Sequence, residues 1–183
     1  MTTSPIKPIE TVYKGYRFRS RLEARWAVFF EQMKWPWEYE PEGYEWRDQK
    51  YLPDFVCRLI VPTYFEIKPL FSEEQKLSAK EAQSKWLDFA KHFVSPERSA
   101  VLIFGSPWVD MRAWVAAWDE ERKGSSVVID TFLGQCPCCD SPSLLIVGED
   151  LKRKVWNAPG FNRRPYELAR SARFEHGEKG APR

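Results

Sequence analysis

The sequence predicts a mixed α/β layer in which helices flank a sheet, and three observations carry that expectation. An apolar stripe at helical spacing comes first: Leu22, Trp26, Phe29, Phe30 and Met33. Short alternating runs between Trp37 and Lys68 follow and read as strands. A second helical pattern over 72–93 then leads into the apolar run 100–104 (AVLIF), which suits a buried strand. The order is helix, three strands, helix, strand.

Each element has a local reason. Residues 20–33 form the first helix, opened by a Ser20-x-x-Glu23 capping box and ended by Pro36. Residues 37–40 alternate as a strand, which 44–46 continue beyond Pro41 and Gly43. Residues 51–58 and 63–68 are two further strands joined through a turn near Pro62. Ser72 is the expected N-cap of the second helix, whose apolar face holds Leu77, Ala82, Trp86, Phe89, Ala90 and Phe93. Gly105 and Pro107 stop the strand at 100–104. Further on, 109–122 read as a helix, 126–133 and 144–147 as strands bracketing the cysteines, and 163–174 as a basic helix. A boundary near 108 separates a core, 11–107, from a C-terminal α+β extension, 108–183, which is not expected to fold alone.

Composition excludes several classes. At 183 residues, 43% hydrophobic and 15% aromatic, the chain has material for a core and is not wholly disordered. No stretch matches a membrane helix, and MTTSPIKPIE lacks the apolar centre of a signal peptide, so a cytoplasmic protein without membrane contact is expected. The net charge of +2 is unevenly spread: 151–183 hold nine basic residues against three acidic ones, leaving 1–150 at −4. A second basic cluster, Lys14, Arg17, Arg19, Arg21 and Arg25, is interleaved with Tyr13, Tyr16 and Phe18. Solvated charge is the ordinary explanation of such clusters. A polyanion such as DNA is the functional one, with Lys14, Arg17, Arg19 and Arg21, Lys76 on the second helix, and Arg163 and Arg164 in the basic tail as candidate phosphate contacts.

The segment with chemical content is Tyr51-Leu52-Pro53-Asp54, followed by Glu66-Ile67-Lys68. Strand side chains alternate, so Glu66 and Lys68 share one face and Ile67 takes the other. If the two strands form a hairpin, Asp54 lies beside Glu66, and two neighbouring carboxylates repel unless a cation sits between them. Oxygen ligands of this kind suit Mg²⁺ or Mn²⁺. The bland alternative makes Asp54 a turn residue and Glu66–Lys68 a weakly paired, solvated strand face.

The Pro53-Asp54 … Glu66-Ile67-Lys68 pattern resembles that of the PD-(D/E)xK nuclease superfamily, and the element order resembles its restriction-endonuclease-like core. Within it, residues 13–69 look most like small phage- and mobile-element-type nucleases, relatives of Holliday-junction resolvases and TnsA-type endonucleases. The resemblance implies a metal-dependent DNA endonuclease hydrolysing phosphodiester bonds. Asp54, Glu66 and the Ile67 carbonyl would hold Mg²⁺ or Mn²⁺, Lys68 would serve the attacking water, and Glu23 would join from the first helix. The capping box explains Glu23 equally well, and Glu40 is either a surface strand charge, like Glu42, or a spare ligand by its place in the chain. Resolvase-like members act as dimers, so a homodimer or a larger nucleoprotein complex is an open expectation. The alternative function is a non-catalytic DNA-binding or assembly subunit of a transposition or defence complex.

Cys136 and Cys139 have C-x-x-C spacing, but structural Zn²⁺ needs four ligands and no second pair follows. Reduced thiols in a turn are favoured over a zinc site.

Overall fold

The computed structural model describes residues 8–46, 49–70, 76–108, 111–128, 131–135, 142–146 and 161–174. Two three-residue strands, β1 (Thr11–Tyr13) and β2 (Tyr16–Phe18), form a hairpin. Lys14 and Gly15 close it at φ 48° and 82°, matching the twist of the strands they join. The hairpin delivers Arg19 to the start of α1 (Arg21–Gln32). Ser20 is the N-cap as expected, extended at φ −147° and ψ 155°, with its Oγ accepting from the Glu23 amide.

The strands β3 (Trp37–Tyr39), β6 (Phe55–Arg58), β7 (Pro62–Lys68), β8 (Ser99–Phe104), β9 (Arg112–Asp119) and β10 (Gly124–Val128) build a six-stranded mixed sheet. Its order is β10-β9-β8-β7-β6-β3. Only β7 and β8 run parallel, because α2 (Lys76–Phe93) supplies the crossover between them. A separate hairpin joins β4 (Tyr44–Trp46) to β5 (Gln49–Tyr51), and another joins β11 (Thr131–Gln135) to β12 (Pro142–Ile146). The third helix described is α3 (Arg164–Ser171).

Alternation along the central strands sorts side chains between two cores. Phe65, Ile67, Val101, Ile103, Ala113 and Val115 face α1 and α3. Tyr64, Ala100, Leu102, Phe104 and Trp114 face α2, where Trp86, Phe89 and Phe93 are buried. Helices therefore cover both faces of the sheet. Tyr166 of α3 is fully buried against Phe29 of α1, with ring centroids 4.7 Å apart. The sheet and this helix contact both cross residue 108.

Four local expectations are corrected. Residues 109–122 were expected to be helical, but Arg112–Asp119 is a strand paired with β8. Its small and aromatic residues alternate between the two cores, and pairing with a buried neighbour outweighs the helix preference of the alanines. Residues 44–46 do not continue β3: they turn away to pair with β5. The expected strand 51–58 is interrupted at Leu52–Asp54, where Pro53 has no amide to donate. The expected strand over 126–133 falls into two strands, β10 and β11, in different sheets.

Candidate active site

The register of β6 on β7 brings the two carboxylates together. Phe55 pairs with Phe65 and Val56 with Tyr64, so one step further puts Asp54 opposite Glu66 at the end of the sheet. Pro53 ends the ladder there, and the Asp54 side chain folds back so that Oδ2 accepts from the Ile67 amide at 2.7 Å. Asp54 is 2% exposed and Glu66 8%. Glu66 Oε1 pairs with Lys68 Nζ, two residues on along the same strand face. Glu66 Oε2 is buried and makes no hydrogen bond of ordinary geometry.

Arg19 is the organising cation. Its Nη2 donates to Asp54 Oδ1 at 2.6 Å, and its Nε lies 3.0 Å from Glu40 Oε1. Glu40 reaches this place because β3 pairs with β6, and its amide donates to the Asp54 carbonyl at 2.9 Å. Burial works against the Arg19 charge, but the Tyr39 hydrogen bond and the charges of Asp54 and Glu40 outweigh it and raise its pKa. Sequence reasoning placed Arg19 among phosphate contacts and did not foresee this bridge.

Glu23 is committed to local structure. Oε1 accepts from the Ser20 hydroxyl at 2.7 Å, and Oε2 accepts from the Tyr39 hydroxyl at 2.5 Å and from the Arg19 amide at 3.2 Å. The capping box therefore extends to the strand residue Tyr39, a partner that no spacing in the sequence announces. This network fixes the backbone of Arg19.

Burial first, and the Glu66 charge second, push the Asp54 pKa up to about 8, against the pull of the Ile67 amide and Lys68. Lys68 loses some basicity to burial, but Glu66 and Asp54 restore more, so its pKa lies above the ordinary value and the ammonium form is favoured. Burial, and then the Glu66 charge, raise the pKa of Tyr51.

Two clefts meet at this cluster. One, of about 500 Å³, lies on the α2 side and is lined by Tyr44, Lys50, Tyr51, Glu66 and Lys85. The other, of about 560 Å³, lies on the α1 side and is lined by Arg21, Leu22, Glu23, Asp54 and Ile67. Arg19 and Lys68 line both.

The other candidate residues fall elsewhere. Lys14 pairs with Glu31 at 2.5 Å, eight residues beyond Glu23, or about 12 Å along α1. Arg17 pairs with Glu10 on the exposed face of the first hairpin. Arg163 and Arg164 stand at the start of α3, and Lys76 at the start of α2. Cys136 and Cys139 lie outside the described residues.

Among the described residues, no three His, Cys, Asp or Glu side chains form a ready-made metal cage. Mg²⁺ does not require one, since one or two carboxylates with water and a phosphate oxygen commonly suffice. Asp54 and Glu66 fit that lighter requirement. Comparison with models of protein families, with curated proteins and with solved structures returned no match. No helix among the described residues is long and apolar enough to cross a membrane.

Proposed function

We propose that this chain is a divalent-metal-dependent nuclease of the PD-(D/E)xK type, with a restriction-endonuclease-like core and DNA as substrate. The observation that carries the reading is the facing of Asp54 and Glu66, both buried, across the end of β6 and β7, with Lys68 beside them where two clefts join. Four carboxyl groups, Glu23, Glu40, Asp54 and Glu66, gather around two cations, Arg19 and Lys68. Asp54 and Glu66 are the two buried side by side, and a divalent ion between them would offset their mutual repulsion.

Asp54 and Glu66 would hold Mg²⁺ or Mn²⁺, with the Ile67 carbonyl as a further ligand by the family resemblance. When bound, such an ion supplies Lewis-acid stabilisation of phosphorane charge and a more acidic water. Lys68, beside Glu66 on the same strand face, would orient that water and donate to a phosphate oxygen. Arg21 lines the α1-side cleft and Arg19 lines both, where they would meet flanking phosphates. Glu23 is a positioning residue that holds the Arg19 backbone through its amide.

One observation favours the alternative of a non-catalytic DNA-binding or assembly subunit: Arg19 already satisfies Asp54 and Glu40. Incubating the protein with linear, branched and single-stranded DNA in Mg²⁺, Mn²⁺ or EDTA separates the readings. Metal-dependent cleavage that Asp54→Ala abolishes in a folded protein supports the nuclease. Metal-independent DNA binding without cleavage on any substrate supports the alternative.

A further inference from the structure

Resting on the proposed metal site, we propose that Arg19 is an internal counter-ion that competes with the divalent cation for Asp54, leaving it when the cation binds and turning its guanidinium to the cleft. Three observations point there. The Arg19 side chain bonds Asp54 Oδ1 at 2.6 Å and approaches Glu40 Oε1 at 3.0 Å, so it occupies the outer side of the acidic cluster. It is nevertheless 57% exposed, whereas the Asp54 side chain is 3% exposed. The guanidinium therefore has solvent to move into, and the carboxylate has not. Meanwhile Glu66, 8% exposed, has Lys68 and the Tyr51 hydroxyl as its side-chain neighbours and lines the cleft that Arg19 also lines. The acidic cluster is thus held by Arg19 on the Asp54 side and by Lys68 on the Glu66 side, and Arg19 is the more exposed of the two cations.

The backbone of Arg19 is held independently of its side-chain contacts to Asp54 and Glu40. Its amide is tied to Glu23 and Tyr39, each at 3.2 Å, so releasing Asp54 does not release the loop. A planar guanidinium with its donors freed is well shaped for a phosphate, and Arg19 lines both clefts beside Lys68. Metal binding would then be coupled to presentation of a phosphate contact. In the metal-free protein Arg19 holds the buried Asp54 side chain in place.

The test is Mn²⁺ binding to the full chain in the absence of DNA, by calorimetric titration, with thermal unfolding in EDTA and in Mn²⁺. Arg19→Gln is compared with wild type and with Lys85→Gln, which removes a charge from the same cleft where the lysine lies over the Tyr51 ring. Arg19→Gln should bind Mn²⁺ at least fivefold more tightly, unfold at lower temperature in EDTA and gain more from Mn²⁺ than wild type. Lys85→Gln should change affinity less than twofold. Equal or weaker Mn²⁺ binding by Arg19→Gln, or equal tightening by Lys85→Gln, overturns the competition and leaves the proposed nuclease site standing. No Mn²⁺ binding by wild type or Arg19→Gln overturns both.

Discussion

At Asp54 several influences compete, and their balance sets how the site behaves before any metal binds. Burial and the Glu66 charge favour the neutral acid, while the Ile67 amide, Lys68 and the Arg19 guanidinium 2.6 Å from Oδ1 favour the carboxylate. The first pair wins, so the folded protein holds this proton more tightly than the unfolded chain, whose ordinary value is 3.8. Between pH 3.8 and about 8 the native state carries the extra proton, and its stability falls as pH rises through that window. Asp54→Asn should flatten the fall in denaturant titrations in EDTA from pH 4 to 8. An unchanged slope in that variant would assign the pH dependence to other groups. Tyr39 offers a second check, because its hydroxyl donates to the buried Glu23 carboxyl at 2.5 Å. Tyr39→Phe should cost about 1–3 kcal/mol, measured as a shift in denaturant midpoint, since it leaves a buried acceptor short of a donor.

The site depends on how elements end. Lys68 closes β7, and its carbonyl accepts from the Gly105 amide at 2.9 Å, while the Gly105 carbonyl accepts from the Trp26 indole of α1 at 2.9 Å. One residue thus ties the strand that carries Lys68 to the helix that carries Glu23. Gly105 sits at φ +93°, and a Cβ there would lie 2.9 Å from Leu70 Cγ. Gly105→Ala should therefore lower the thermal midpoint and cost more than about 1 kcal/mol. The same dependence on endings explains what could be read in the sequence. Asp54, Glu66 and Lys68 were legible because the alternation of two adjacent strands and Pro53 determine their relative placement. The Ser20–Glu23 cap was legible because it is local. Arg19 and Tyr39 were not, since their meeting needs the first hairpin, the start of α1 and the pairing of β3 with β6 at once. The strand at 112–119 was misread because Trp-Val-Ala-Ala-Trp tolerates either period, and only the neighbouring β8 decides between them.

Across the whole molecule, two helical layers brace one sheet whose end carries the acidic cluster. The α3 helix belongs to that frame: Tyr166 and Ala169 are fully buried, and Arg170 stacks over the Trp108 ring at 4.2 Å. Its basic residues therefore stand on an element that helps hold the fold, so a truncation before α3 would confound DNA binding with stability. Tyr166→Ala should cost about 3–5 kcal/mol, as expected for emptying a large aromatic site in a core. The central claim is that Asp54 and Glu66 face each other to hold a catalytic metal. Its most direct measurement is Mg²⁺-dependent cleavage of DNA by wild type and by Glu66→Gln, which keeps the shape of the side chain and removes its charge. Wild type should cleave, and folded Glu66→Gln should be slower by at least about a hundredfold, equivalent to about 2.7 kcal/mol in the barrier. Cleavage at the wild-type rate by folded Glu66→Gln would contradict the account.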